Sequence, residues 1–70
     1  MNRFGSAKAT RVFATLLRIG WLVKRQSGSH VILERQGWAD VVFPFHDGEE
    51  IEPKMLVRIA KHTGLTPDDL

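Results

Sequence analysis

Between Gly20 and Pro44 the chain carries three short apolar runs joined by connectors of only a few residues, and this spacing limits the fold more than any other feature. Trp21-Leu22-Val23-Lys24-Arg25-Gln26 ends at Ser27-Gly28, and His30-Val31-Ile32-Leu33-Glu34-Arg35 ends at Gln36-Gly37. Ala39-Asp40-Val41-Val42-Phe43 then ends at Pro44. β-Branched and aromatic residues suit a pleated, half-buried surface. Parallel strands need a crossover of about a dozen residues, which these connectors cannot supply. The expectation is an antiparallel meander with strands at about 21–26, 30–35 and 39–43. Pro44 has no amide to give to a ladder, so the third strand should end there.

On either side the apolar period changes to that of a helix. From Ala7 to Ile19, residues Ala9, Val12, Phe13, Leu16, Leu17 and Ile19 fall in one arc, with Arg11, Thr15 and Arg18 opposite. Ser6 is placed to cap this helix, expected over about 7–19, and Gly20 to stop it. The stretch Phe45 to Glu52 reads as a loop turning at Asp47-Gly48. A second helix, about 53–63, should begin with Pro53 and bury Met55, Leu56, Ile59, Ala60 and Thr63, with Gly64 closing it. Glu49, Glu50 and Glu52 precede it, where the helix dipole favours negative charge. Thr66-Pro67-Asp68-Asp69 has the form of the cap and first turn of one more short helix.

The expected fold class is therefore α+β, in the order α-β-β-β-α, as a single domain over residues 1–70. A lone three-stranded sheet needs a cover for its apolar side, so both helices should lie on one face. The other face is then open, and function is to be sought there.

A chain of 70 residues buries only about 60% of the surface its unfolded form exposes, so its stability margin is thin. With no cysteine, neither disulfides nor a thiolate zinc site can reinforce it. No apolar run approaches a membrane span, and no long apolar region marks a signal peptide, so the expectation is a soluble, cytoplasmic protein. The net charge of +2 conceals a polarised chain. Residues 1–35 carry seven basic residues against Glu34 alone, whereas residues 36–70 carry three against seven acids. Such asymmetry points to a nucleic-acid surface built from the first half; a solvated surface of uneven charge is the plainer reading.

The strongest chemical signal is Lys24-Arg25-Gln26-Ser27-Gly28-Ser29-His30. Two cations end one strand, a tight turn follows, and a histidine opens the next. A phosphate held by Lys24 or Arg25 could reach the imidazole, the side chain that titrates near neutral pH and suits proton transfer in RNA cleavage. If Val31 and Leu33 face the helices, His30 and Ile32 face the open side; residues 31 to 33 are all apolar, so the opposite register stays open. Lys54, Arg58 and Lys61 form a basic stripe on the second helix that could contact RNA phosphates or simply be solvated. His46 could be a second acid/base group, a phosphate donor or, the favoured reading, a loop anchor, and His62, near a helix C-terminus, reads as structural. The Asp47, Glu49, Glu50, Glu52 cluster lacks the spacing of a calcium loop, and no zinc spacing, serine nucleophile elbow or glycine-rich phosphate loop is present, so neither a metal nor a small-molecule cofactor is expected.

Taken in order, these residues resemble the HicA family of mRNA interferase toxins. They are a helix ending in Gly20-Trp21, a basic strand end, Gly28-Ser29-His30, then Val41-Val42-Phe43-Pro44-Phe45-His46, and a helix closing with Ala60-Lys61-His62-Thr63-Gly64-Leu65. The resemblance covers about residues 7–65. It implies a fold like the double-stranded RNA-binding domain, catalysis by His30, and a HicB-type antitoxin that binds and masks it. From the residues themselves, the candidate RNA contacts are Lys24, Arg25, Ser29, Lys54, Arg58 and Lys61. The sequence departs from the family pattern at Val31, where many members have a second histidine, and at Pro53-Lys54-Met55, where Gly-Thr is common. The loop before the second helix is acidic rather than basic. The expected function is metal-independent endonucleolytic cleavage of mRNA by a toxin of a toxin–antitoxin pair. The alternative is a non-catalytic RNA-binding module of the same fold.

Overall fold

A computed structural model describes residues 3–70, and Met1 and Asn2, included in the expected domain, lie outside the described residues. The elements are β1 (Ala7–Lys8), α1 (Ala9–Arg18), β2 (Leu22–Ser27), β3 (His30–Glu34), β4 (Val41–Pro44), β5 (Glu50–Ile51) and α2 (Pro53–Thr63), followed by a 3₁₀ turn (Pro67–Asp69). β2, β3 and β4 form the expected antiparallel meander with β3 in the centre. The α+β class and the antiparallel sheet are as the sequence implies, and α2 has the expected bounds.

The helices cover one face of this sheet. Val31, Leu33 and Phe43 point from it into a core shared with Val12 and Leu16 of α1 and Leu56 and Ile59 of α2. Each such side chain contributes about 1.5–3 kcal/mol by leaving water, which is what holds so small a sheet together. Trp21, expected in the first strand, instead drops out of it and is fully buried. Its indole Nε1 donates to the Thr63 carbonyl at 3.0 Å, so the polar atom of a buried aromatic is satisfied and the ends of α1 and α2 are joined. Gly20 makes this possible. With φ of 118°, it lets its own amide bond Leu17 O at 3.2 Å while the Trp21 amide bonds Leu16 O at 3.0 Å, a Schellman stop that turns Trp21 inward onto Leu16.

The start of α1 departs from the sequence reading. The helix begins at Ala9, and Lys8 rather than Ser6 holds the cap position, with no side-chain bond. Ala7 and Lys8 form a strand opposite Ile51 and Glu50. The Ala9 amide donates to Glu49 O at 2.9 Å, so the backbone of the acidic loop does the work expected of a serine hydroxyl. Glu50 therefore lies in a strand opposite Lys8 rather than in a dipole-bound loop. Thr15, assigned to the solvent side, is buried, with its hydroxyl bonded to Arg11 O at 2.8 Å. Leu17, assigned to the core, is 39% exposed. The buried arc is thus centred a little further round, on Ala9, Val12, Thr15 and Leu16. β4 ends at Pro44 as expected, with Pro44 as its last residue on an edge strand, but it begins at Val41, so Ala39 and Asp40, expected in it, lie before it. The expected short C-terminal helix is present: Thr66 and Asp69 form a capping box, and Arg18 donates to the Asp69 carbonyl, tying the tail to α1.

Candidate active site on the uncovered sheet face

Among the described residues no helix or strand packs on the opposite face of the meander. Burial decides the register that the sequence left open: Val31 and Leu33 are at most 2% exposed, so His30, Ile32 and Glu34 project to the other side. His30 is exposed at the start of β3. Ser27 of β2 and Pro44 of β4 stand directly opposite it on its two sides. Arg25 pairs with Ile32, which puts it on the same face and diagonal to His30. Diagonal neighbours lie about 7–8 Å apart at the backbone, within reach of a long side chain. Arg25 and His30 thus share one face of the hairpin at diagonal positions.

Lys24 is not placed in the same way. The ladder slips between Val23 and Arg25, so Lys24 occupies a β-bulge. Its Nζ meets the Asp40 carboxylate at 2.8 Å, an ion pair exposed on both sides. The hydrogen bond to Asp40, reinforced by its charge, raises the Lys24 pKa above its ordinary value. Bulges commonly re-aim a side chain, and here the effect is to send the ammonium towards the far end of the sheet from His30. Ser29 lies in the turn, half-buried, and its carbonyl accepts the Phe45 amide at 2.7 Å. That bond holds the β2–β3 turn against the end of β4 and so fixes where His30 begins its strand.

His46 lies beyond β4 in a loop closed by its own carbonyl, which accepts the Glu49 amide at 3.1 Å. Its side chain lines a cleft of about 240 Å³ with Pro44, Ile51, Met55 and the acidic Glu49, Glu50 and Glu52. Lys54, Arg58 and Lys61 are all exposed. They occupy the side of α2 opposite Leu56, Ile59 and Thr63, pointing away from the sheet. The structure therefore separates this stripe from His30: they are on opposite sides of the molecule. His62 is exposed in the last turn of α2, where a cation is favoured.

Two residues of this sheet, one beside His30 and one at the far end, are not legible in the sequence. Ser27 has the composition of a turn residue, yet it pairs with His30; a six-residue strand counted back from the Gly28 turn includes it. Asp40 fits a strand pattern but lies just before β4, and its partnership with Lys24 depends on a bulge that no pattern announces.

A family model described as HicA toxin of bacterial toxin-antitoxin matches residues 9–65, from the first residue of α1 to the residue after the Gly64 cap of α2. No curated protein and no solved structure matches the chain. Among the described residues no helix is long and apolar enough to cross a membrane.

Proposed function

The chain belongs to the HicA toxin family, and from that premise we propose that it is an endoribonuclease that cleaves mRNA with His30 as its acid/base group. The observation that carries this reading is the position of His30: exposed, on the sheet face opposite the helices, with Arg25 diagonal to it. In the proposed step the imidazole takes the proton of a ribose 2′-OH. The freed oxygen attacks the adjacent phosphorus, the bond from phosphorus to the 5′-oxygen breaks, and that oxygen takes up a proton. The products are a 2′,3′-cyclic phosphate and a 5′-OH. Arg25 offsets the negative charge that builds on the phosphoryl oxygens. Lys24 is engaged by Asp40, so the phosphate role falls first to Arg25. One general base supplies about 10²–10⁴-fold, and positioning on the rigid hairpin supplies the rest.

The nucleophile belongs to the RNA, so DNA of the same sequence resists cleavage. His30→Ala should lower cleavage of a long mRNA in EDTA at least about a hundredfold with the circular dichroism unchanged; a variant as active as the parent overturns the assignment. A bell-shaped pH profile that loses one limb in His46→Ala would add His46 as the general acid. A HicB-like antitoxin is the proposed partner, and the apolar Leu22, Ile32 and Val42 spread along the same face as His30 are suited to being covered by a protein.

A second reading is supported by the exposed Lys54, Arg58, Lys61 stripe, which sits away from His30. In that reading the chain binds RNA without cutting it. Salt-sensitive binding that Lys61→Ala weakens, with no cleavage by the parent protein, would favour it.

A further inference from the structure

At the end of the sheet remote from His30, a cleft of about 560 Å³ reaches from Leu22 and Glu34 of the open face to Arg35, Trp38 and Asp40. That volume lies in the range of sites that enclose a small organic group. Trp38 is 43% exposed, although Trp21 beside it is fully buried. It is nonetheless held in place. Its ring meets Trp21 edge-on with centroids 5.8 Å apart, and Arg35 sits 5.6 Å from the centroid of the ring. On another side it lies so close to Gly64 that a Cβ there would be 3.0 Å from Cη2. An aromatic ring fixed by three neighbours and still half open loses little freedom when something stacks on it.

The charges around it nearly cancel, since Lys24 is paired with Asp40 and Arg35 stands next to Glu34. Such a cleft does not hold a phosphate, but it suits a neutral, planar group with polar edges. Leu22 pairs with Glu34 at this end of the hairpin, and Ser27 pairs with His30 at the other. Four residues of strand separate the two ends, about 13 Å at the usual rise. One strand of RNA can therefore lie along the face with its backbone passing Arg25. Proteins that bind single strands combine a cationic track with aromatic rings on which bases stack.

We propose that this cleft seats one unpaired nucleobase of single-stranded RNA, stacked on Trp38, a few nucleotides from the phosphate held beside His30. The proposal deepens the ribonuclease reading and rests on it. It makes Trp38 and Leu22 binding residues that select single-stranded over double-stranded RNA, because a base paired within a helix cannot turn its face to the ring.

The test uses His30→Ala protein, so that bound RNA is not cut, titrated with a short unstructured RNA oligonucleotide. Trp38 is the half-exposed indole, so saturable quenching of intrinsic fluorescence is expected and should vanish in Trp38→Phe. Trp38→Ala should weaken binding about fivefold to a hundredfold. Leu22→Ser, a change at a 64% exposed position, should weaken it without altering the circular dichroism, which covers the case in which Trp38→Ala loosens the fold. Full affinity in a folded Trp38→Ala protein overturns the proposal. So does a Trp38 signal that RNA leaves unchanged but a purified antitoxin shields, which would make the cleft a protein-docking site. Because binding is read without cleavage, an inactive parent protein that still shows the quenching would sink the ribonuclease reading alone.

Discussion

The two faces of the β2–β3–β4 sheet are built from the same kinds of residue and have opposite fates. On the covered face Val31, Leu33 and Phe43 are at most 2% exposed. On the open face Leu22 is 64% and Val42 58% exposed, with Ile32 half-buried between them. Hydropathy does not separate the two sets. What separates them is that α1 and α2 pack on one side only. The covered set supplies the burial that stabilises the fold, whereas the open set contributes little to stability and is free to meet a ligand. The proposed chemistry therefore sits where the fold can tolerate it.

The comparison can be broken by substitution. Leu33→Ala, at the centre of the covered face, should cost about 2–5 kcal/mol. In a chain this small that approaches the whole of its stability, and urea denaturation should show a large drop in midpoint or no folded baseline. Trp21→Phe removes the donor to the Thr63 carbonyl and should cost about 1–3 kcal/mol, read as a lower Tm. Val42→Thr on the open face should change stability by no more than about 0.5 kcal/mol. If Val42→Thr destabilised the protein as much as Leu33→Ala, the two faces would not differ in the way described.

The smallest effect is expected from the Lys24–Asp40 pair. A cation whose pKa is raised on folding stabilises the native state below its unfolded value, and that stabilisation is lost only as pH rises through the folded value. The ordinary value is 10.5, so the lysine side of the pair should give no pH dependence of Tm between about pH 6 and 9, and should weaken only above the lysine range. Lys24→Ala should therefore leave the Tm profile across neutral pH unchanged in shape. A profile that changed there would mean that a group other than the lysine controls it.

Most of the architecture could be read in the chain because each signal is local. The apolar spacing from Pro53 to Thr63, with Pro53 at the start and Gly64 at φ of 78° just past the end, gave α2 its bounds without reference to anything else. The turn residues between the strands fixed an antiparallel meander for the same reason. The pairing of Ala7–Lys8 with Glu50–Ile51 was not legible, because two residues carry no period and their partners lie more than forty residues away. Thr15 and Leu17 exchanged roles because a helical wheel gives the width of an arc but not its centre, and the centre depends on where the sheet lies.

The same division holds for the site. Sequence alone placed a histidine at the start of a strand, behind a turn and close to a cation, since a hairpin brings those positions together whatever surrounds it. It did not decide which face His30 takes, because Val31, Ile32 and Leu33 are all apolar and either register would bury a hydrophobic residue. Packing decided it: α1 and α2 bury Val31 and Leu33 and leave His30 outside. Nor did it show that Lys24 would turn to Asp40 while Arg25 kept to the face of His30, or that Trp38 would be wedged between Trp21, Arg35 and Gly64 with its ring half open. A bulge and a three-sided clasp join residues distant in the chain, and only the folded backbone brings them within reach.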